Sequence, residues 1–144
     1  MTISLEHWYP ENFDSATCIH NYVDVDNHII RKGAIDASMG RICIIPLNMR
    51  DGILLGIGKG NEDWNCSAPH GAGRLMSRAE AKRKIALEDF QESMEGIYTS
   101  CVTESTIDES VFAYKDAEEI EKAVEPTVNI IAHLRPIWNF KDRG

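Results

Sequence analysis

The residues of this chain best suited to chemistry lie in one segment, Gly58-Lys59-Gly60-Asn61-Glu62-Asp63-Trp64-Asn65-Cys66-Ser67-Ala68-Pro69-His70-Gly71-Ala72-Gly73-Arg74. Small residues on both sides of His70 let a bulky ligand approach the backbone closely. Successive N–H groups of a Gly-rich loop can form an anion-binding concavity. Arg74 and Arg78 can add charge-assisted hydrogen bonds to phosphate. A histidine in such a loop can serve as a nucleophile, as an acid or base, or as a metal ligand. A structural histidine in a tight loop carries the same short signature.

Two other constellations compete for these residues. Cys18 and His20, two apart on a strand, share a face, and with Cys66 and His70 they would make a four-ligand zinc set. No CxxC spacing supports that set. Cys66 as a reactive thiol competes with Cys66 as a small buried residue, the commoner use of a lone cysteine. Trp8, Trp64 and Trp138 read as core or interface residues rather than stacking platforms.

These side chains need elements to position them. Residues 17 to 32 alternate around the Asp26-Asn27 turn and predict a hairpin. Arg41 to Pro46 and Gly52 to Ile57 read as short apolar strands. Residues 78 to 95 predict one helix, capped by Ser77 with Glu80, striped by Ala81, Ile85, Phe90 and Met94, and stopped at Gly96. Read as one helix, it has Lys82, Arg83 and Lys84 in its first turns and Glu88, Asp89, Glu92 and Glu95 toward its end. That arrangement opposes the macrodipole and suggests a phosphate-facing role. A shorter helix is expected over Ala117 to Ala123, ending before Pro126, and a buried strand over Thr127 to Leu134. Strands and helices are mixed without regular alternation, so the fold class is α+β, with mixed or antiparallel sheets and few helices.

A length of 144 residues fits a single domain. No apolar run is long enough to span a membrane, so no membrane partner is expected. The first fourteen residues lack the basic start and apolar stretch of a signal peptide. Four widely spaced cysteines then read as reduced thiols, and the expected location is cytoplasmic. The net charge of −8 excludes nucleic-acid binding through an overall positive field. The basic residues between Gly71 and Lys84 nevertheless form a local patch able to hold phosphates.

His70-Gly71-Ala72-Gly73-Arg74 followed by Met76-Ser77-Arg78 resembles the HGAGRxMSR signature of RtcB RNA-splicing ligases. Gly58-Lys59-Gly60-Asn61 is similar to that family's GKGN block. Further blocks match in order: His20-Asn21-Tyr22, Arg31-Lys32-Gly33-Ala34, Ile44-Ile45-Pro46, Glu109-Ser110 with Ala113-Tyr114-Lys115-Asp116, and Arg135-Pro136 with Lys141. The resemblance spans about residues 17 to 142. It implies joining of RNA 3′-phosphate or 2′,3′-cyclic phosphate ends to 5′-hydroxyl ends, as in tRNA splicing and RNA repair, with GTP and Mn²⁺.

The resemblance implies a role for each matching residue. His70 carries GMP as a phosphoramidate. Asn21, Pro46, Leu47, Asn48, Met49, Gly71, Ala72, Gly73, Tyr114 and Lys141 line the nucleotide pocket. His20 is a metal ligand, and Arg74 and Arg78 hold RNA phosphate. Two positions depart from the family pattern. The family's PGSMG loop is here Pro46-Leu47-Asn48-Met49-Arg50, and Ile53 stands where a second GMP-contacting serine is usual.

The remaining metal ligands of the family lie in an N-terminal half. Residues 1–144 are therefore expected to correspond to the C-terminal part of the ligase, acting with an N-terminal half or partner chain. A second function class fits the same residues: a non-catalytic fragment or split subunit that binds guanine nucleotide or a partner chain.

Overall fold

The computed structural model describes the backbone of residues 2–4 and 15–141, with side chains from residue 16 onward. His7 and Trp8 lie outside the described residues. At the amino-terminal end, β1 (Thr2–Ser4) pairs antiparallel with β2 (Ser15–Thr17).

The expected hairpin follows as β3 (Asn21–Asp24) and β4 (Ile29–Lys32), with Asn21 opposite Lys32 and Val23 opposite Ile30. Asp24 fixes the turn, its carboxylate accepting the Asn27 backbone N–H at 3.1 Å. Pairing begins at Asn21 rather than Cys18. The Cys18 thiol instead donates to the Ile42 carbonyl at 3.3 Å, which holds that stretch against the neighbouring sheet.

After β5 (Ala34–Asp36), the chain makes β6 (Ile42–Pro46) and β7 (Ile53–Gly58), the two apolar strands expected. On β6, Cys43 and Ile45 face one core cluster with Leu47, Leu54 and Val124, whereas Ile44 faces a second with Leu55 and Ala16. Burial on both faces is why these strands read as continuous apolar runs. β8 (Ser67–Pro69) returns antiparallel to β5.

The helix expected over residues 78–95 is broken. It forms α1 (Arg78–Lys84) and α2 (Leu87–Ser93), with Ile85 and Ala86 extended between them. The break turns Ile85, Leu87, Phe90 and Met94 together into a separate core cluster with Met49, Cys101 and Ile107. It also corrects the charge argument. Lys82, Arg83 and Lys84 close α1, and Glu88 and Asp89 open α2, so both helices carry charges that suit their dipoles. The charge order therefore needs no ligand to explain it. Ser77 caps α1, accepting the Glu80 N–H at 3.2 Å, and Gly96 takes φ +84° beyond α2.

β9 (Tyr98–Thr99) precedes α3 (Ala117–Val124), the second expected helix, which Asp116 caps. β10 (Val128–Leu134) completes an antiparallel sheet of order β10-β7-β6. Its expected burial is only half realised: as an edge strand with a bulge between Ile130 and Ala132, it leaves Asn129, Ile131 and His133 exposed. β11 (Trp138–Asn139) pairs in parallel with β9. Small antiparallel sheets and few helices make the fold α+β. No helix of the described residues is long and apolar enough to cross a membrane.

The alternation of β4 sends Arg31 inward, where it is 3% exposed. Its guanidinium donates to Tyr22 Oη at 2.9 Å, Asp24 at 3.0 Å, Ser67 Oγ at 2.9 Å and the Cys66 carbonyl at 3.3 Å. Asp36 lies 3.6 Å away. Removing one member of a fully buried ion pair costs about 3–5 kcal/mol. Here the guanidinium is fully buried while Asp24 and Asp36 are partly exposed, which puts the cost near the lower end of that range. Arg31→Ala is therefore expected to lower the unfolding free energy by about that amount in urea titration, and Arg31→Lys, lacking the planar fork, to restore only part of it. A full restoration by lysine would show that charge alone is required.

Candidate active site

The β5–β8 ladder carries two residues past its end that meet across it. Gly33 precedes β5 and His70 follows β8, and the His70 N–H donates to the Gly33 carbonyl at 3.3 Å. The same carbonyl lies 2.7 Å from His70 Nδ1. A carbonyl has no hydrogen to give, so Nδ1 carries the proton, and the neutral imidazole keeps its lone pair on Nε2. Gly33 has φ +66°, a left-handed conformation that β-carbon-bearing residues rarely adopt. Its N–H donates to Asn21 Oδ1 at 2.9 Å, so Asn21 holds the peptide on the amino side of Gly33. The peptide that carries the Gly33 carbonyl is held by the Ala34 N–H, which donates to the His20 carbonyl at 3.3 Å. His20 stacks on His70, with ring centroids 4.7 Å apart and planes within 8°.

His70 opens onto a cavity of about 1560 Å³. Small-molecule sites typically occupy roughly 300–1,000 Å³, so there is room for a nucleotide and more. One wall is the end of β6 and its following loop, Pro46 to Met49. Gly71, Ala72 and Gly73 form the floor beside His70. Arg74, Arg78 and Lys82 line the α1 side, and Tyr114, Arg135 and Lys141 complete the rim. The structure thus brings Tyr114 and Lys141, 27 residues apart in sequence, into the His70 cavity. His20 and Asn21 do not line it. They stand behind His70, His20 through the ring stack and Asn21 through the residue Gly33.

Sequence reasoning did not single out Glu109 as a site residue, yet it organises the cavity. Its carboxylate accepts from Arg74 at 2.7 Å, Arg78 at 3.1 Å, Tyr114 Oη at 3.0 Å and Lys141 Nζ at 3.0 Å. Beside it Asp108 pairs with Arg78 at 2.7 Å and Lys82 at 3.5 Å. Burial pushes the Glu109 carboxyl up, but Lys141, Tyr114 and Arg74 outweigh it and hold it below its ordinary value. Burial, with Glu109 alongside, raises the Tyr114 hydroxyl to about 12, so it stays protonated as a donor. Arg74 lies 4.7 Å over the Tyr114 ring and covers one of its faces. Glu109 sits in a 3-10 turn, Glu104–Glu109, whose sequence has no helical or strand period to mark it.

The two arginines differ in availability. The Arg74 side chain is 23% exposed and committed to Glu109, whereas that of Arg78 is 69% exposed. Asn48 is engaged within its own loop, accepting the N–H groups of Arg50 at 3.0 Å and Asp51 at 2.8 Å. Among the described residues, five cations line the cavity against two carboxylates, on a chain whose net charge is −8. The local field therefore opposes the global one and favours an anionic ligand.

Among the described residues no group of three or more His, Cys, Asp or Glu side chains could hold a metal ion. The described donors by themselves therefore do not fit a Mn²⁺ centre, nor do Cys18, His20, Cys66 and His70 form the four-ligand zinc set. Cys66 is half-buried, its carbonyl used by Arg31 and by the Ala37 N–H. Trp64 and Trp138 are exposed rather than core.

A family model described as tRNA-splicing ligase RtcB matches residues 5–142. The chain is 36% identical over 131 residues to the RNA-splicing ligase RtcB of Escherichia coli K12, which covers 86% of this chain and 32% of that protein. It is 35% identical over 106 residues to the tRNA-splicing ligase RtcB of Aeropyrum pernix, covering 69% of this chain and 22% of that one. With the enzyme of the same name from Methanopyrus kandleri the identity is 40% over 105 residues, 68% of this chain and 11% of that protein. The chain thus spans a third or less of the length of these relatives.

A carboxyl group held below its ordinary value stabilises the fold above that value and loses its contribution as pH falls through the lowered one. Glu109 therefore contributes to acid sensitivity below pH 4.5, its ordinary value. Glu109→Gln is expected to make the fall in melting temperature below that pH shallower than in the native chain. Equal slopes would show that its contacts with Arg74 and Lys141 carry little energy.

Proposed function

The chain belongs to the tRNA-splicing ligase RtcB family, and we propose that it supplies the guanylylated histidine and nucleotide pocket of an RNA ligase that uses GTP and Mn²⁺. In this reading, RNA 3′-phosphate or 2′,3′-cyclic phosphate ends are joined to 5′-hydroxyl ends through a GMP–histidine intermediate. The observation that carries the reading is the 2.7 Å contact between His70 Nδ1 and the Gly33 carbonyl. It keeps the Nε2 lone pair for attack on the α-phosphorus of GTP. The nitrogen–phosphorus bond forms as the bond to the bridging oxygen breaks, and pyrophosphate leaves with that electron pair. The Nδ1 proton stays on the ring, hydrogen-bonded to Gly33, and stabilises the cation that develops on imidazole.

Each nearby group has a task in that step. The backbone from Gly71 to Gly73 lies against the phosphates. Pro46 to Met49 wall the nucleotide, with Asn48 holding the loop rather than offering its Oδ1. The open face of Tyr114 meets the guanine, and Lys141 reaches the nucleotide from the rim. Arg78 takes RNA phosphate, and Arg74 keeps Tyr114 and Glu109 in place beside it. Asn21 acts through Gly33. His20 offers one imidazole for Mn²⁺. The other donors come from a polypeptide corresponding to the rest of the family's length.

A partner chain is also supported by the outer face of the β3–β4 hairpin. Val23 and the cross-strand Ile30 are 62% and 79% exposed, and Ile19 and Val25 lie close in sequence at 61% and 74%. Exposed apolar clusters of this kind mark interaction surfaces. The same face supports the second reading, a subunit that binds nucleotide or a partner chain without joining RNA by itself.

Incubation with α-labelled GTP and Mn²⁺, with and without an RtcB N-terminal half, tests the reading. Protein-bound GMP is expected on the native chain in the presence of that half, to be abolished by His70→Ala and retained by His7→Ala. Label surviving on His70→Ala would overturn the assignment. Alone, the chain is expected to self-associate in analytical ultracentrifugation. Val23→Ser with Ile30→Ser should reduce this, and an unchanged sedimentation profile would place the sticky surface elsewhere.

A further inference from the structure

The carboxyl-terminal ribbon presents a second chemistry. β11 alternates: Asn139 points inward, its amide donating to the Met49 carbonyl at 2.7 Å, and Lys141 reaches Glu109 at 3.0 Å. The intervening residues point outward. Trp138 and Phe140 are 58% and 68% exposed, with rings 6.2 Å apart and within 18° of parallel. Tyr98, the register partner of Trp138, is 74% exposed. These rings belong to none of the core clusters. Aromatic side chains are the largest apolar groups a chain can bury, and the fold leaves three of them in water on one small ribbon.

The ribbon adjoins the charged cavity. Trp138 itself lines it, together with Arg78, Lys82 and Arg135. Side chains that stack on flat rings beside cations that hold phosphate make up the recognition surface of single-stranded nucleic acid. A protein partner would find apolar area here, but the adjoining surplus of positive charge is complementary to a phosphate backbone. We propose that Trp138 and Phe140, with Tyr98 at their edge, form a stacking platform for an unpaired base of the RNA strand whose 3′-phosphate end enters the His70 cavity. The proposal rests on the ligase reading for the identity of the strand. It adds a selection rule: the platform takes a single-stranded end, because a base stacked between neighbours within a duplex offers no free face to these rings.

The test uses the full chain and a fluorescein-labelled single-stranded RNA ending in a 3′-phosphate, compared with the same RNA made abasic at its last nucleotides. Anisotropy titration reads the affinity. Native protein should bind the abasic strand about 5- to 100-fold more weakly. Trp138→Ala with Phe140→Ala should bind the intact strand more weakly by a similar factor, and base removal should then have no further effect. Trp138→Phe should stay near native affinity. Thermal melts establish that the variants are folded.

Native-like RNA affinity in the double variant, or an equal cost of base removal in both proteins, overturns the platform. So does protection of Trp138 from acrylamide quenching by an RtcB N-terminal half but not by RNA, which would make the ribbon a protein interface. The GMP-labelling experiment separates this outcome from the ligase reading. Labelled His70 without a base effect removes only the platform. A base effect without labelling removes the ligase chemistry and leaves the platform standing.

Discussion

A guanidinium with almost no solvent contact must have its charge answered within the protein, and Arg31 imposes that demand on this fold. Its partners come from β3 through Tyr22 and Asp24, from β5 through Asp36, and from the start of β8 through Cys66 and Ser67. Those strands carry or flank His20, Asn21, Gly33 and His70. The arginine ties the hairpin directly to the start of β8, alongside the hydrogen bonds that link His20 and Asn21 to Gly33 and Ala34, and Gly33 to His70. With it, the hairpin's inner face is pinned, and Asn21 is delivered to the N–H of Gly33, the residue whose carbonyl meets His70 Nδ1.

A second charge centre works on the opposite wall, and in the other sense. Glu109 and Asp108 gather cations from α1, from the His70 loop and from the carboxyl-terminal end. Like charges brought this close repel, and two carboxylates can neutralise only part of them. The remainder is a positive cavity on an acidic protein. The cavity itself lies between two packed regions, the cluster around Leu54 and Val124 and the one around Phe90 and Met94. The break at Ile85 and Ala86 gives the second region its own core and sets α1 beside the cavity.

The length of the chain relative to its relatives and its surface agree with each other. It spans a third or less of the matched family members, and the hairpin beside His20 shows an apolar outer face to solvent. In the proposed reading the His70 cavity takes the nucleotide and the metal donors come from a second polypeptide.

Local patterns along the chain determined a good deal. The two apolar strands, the hairpin around Asn27, the capped starts at Ser77 and Asp116 and the glycine stop at Gly96 all follow from periods and caps that depend on near neighbours in sequence. The run from His70 to Arg78 identified the loop and the family because its residue types are uncommon together. Tertiary structure decided the rest. The helix break gave no local signal, because Ile85 fits a helical stripe equally well and only packing against Phe90 and Met94 distinguishes the alternatives. The inward face of Arg31, the role of Glu109 and the exposure of Trp138 were likewise invisible. Each depends on residues tens of positions away, and neither charge nor aromaticity says in advance whether a side chain will meet a partner or water. The Gly33 carbonyl is the clearest instance: a backbone atom has no residue type for a sequence to display, yet it sets which nitrogen of His70 holds the proton.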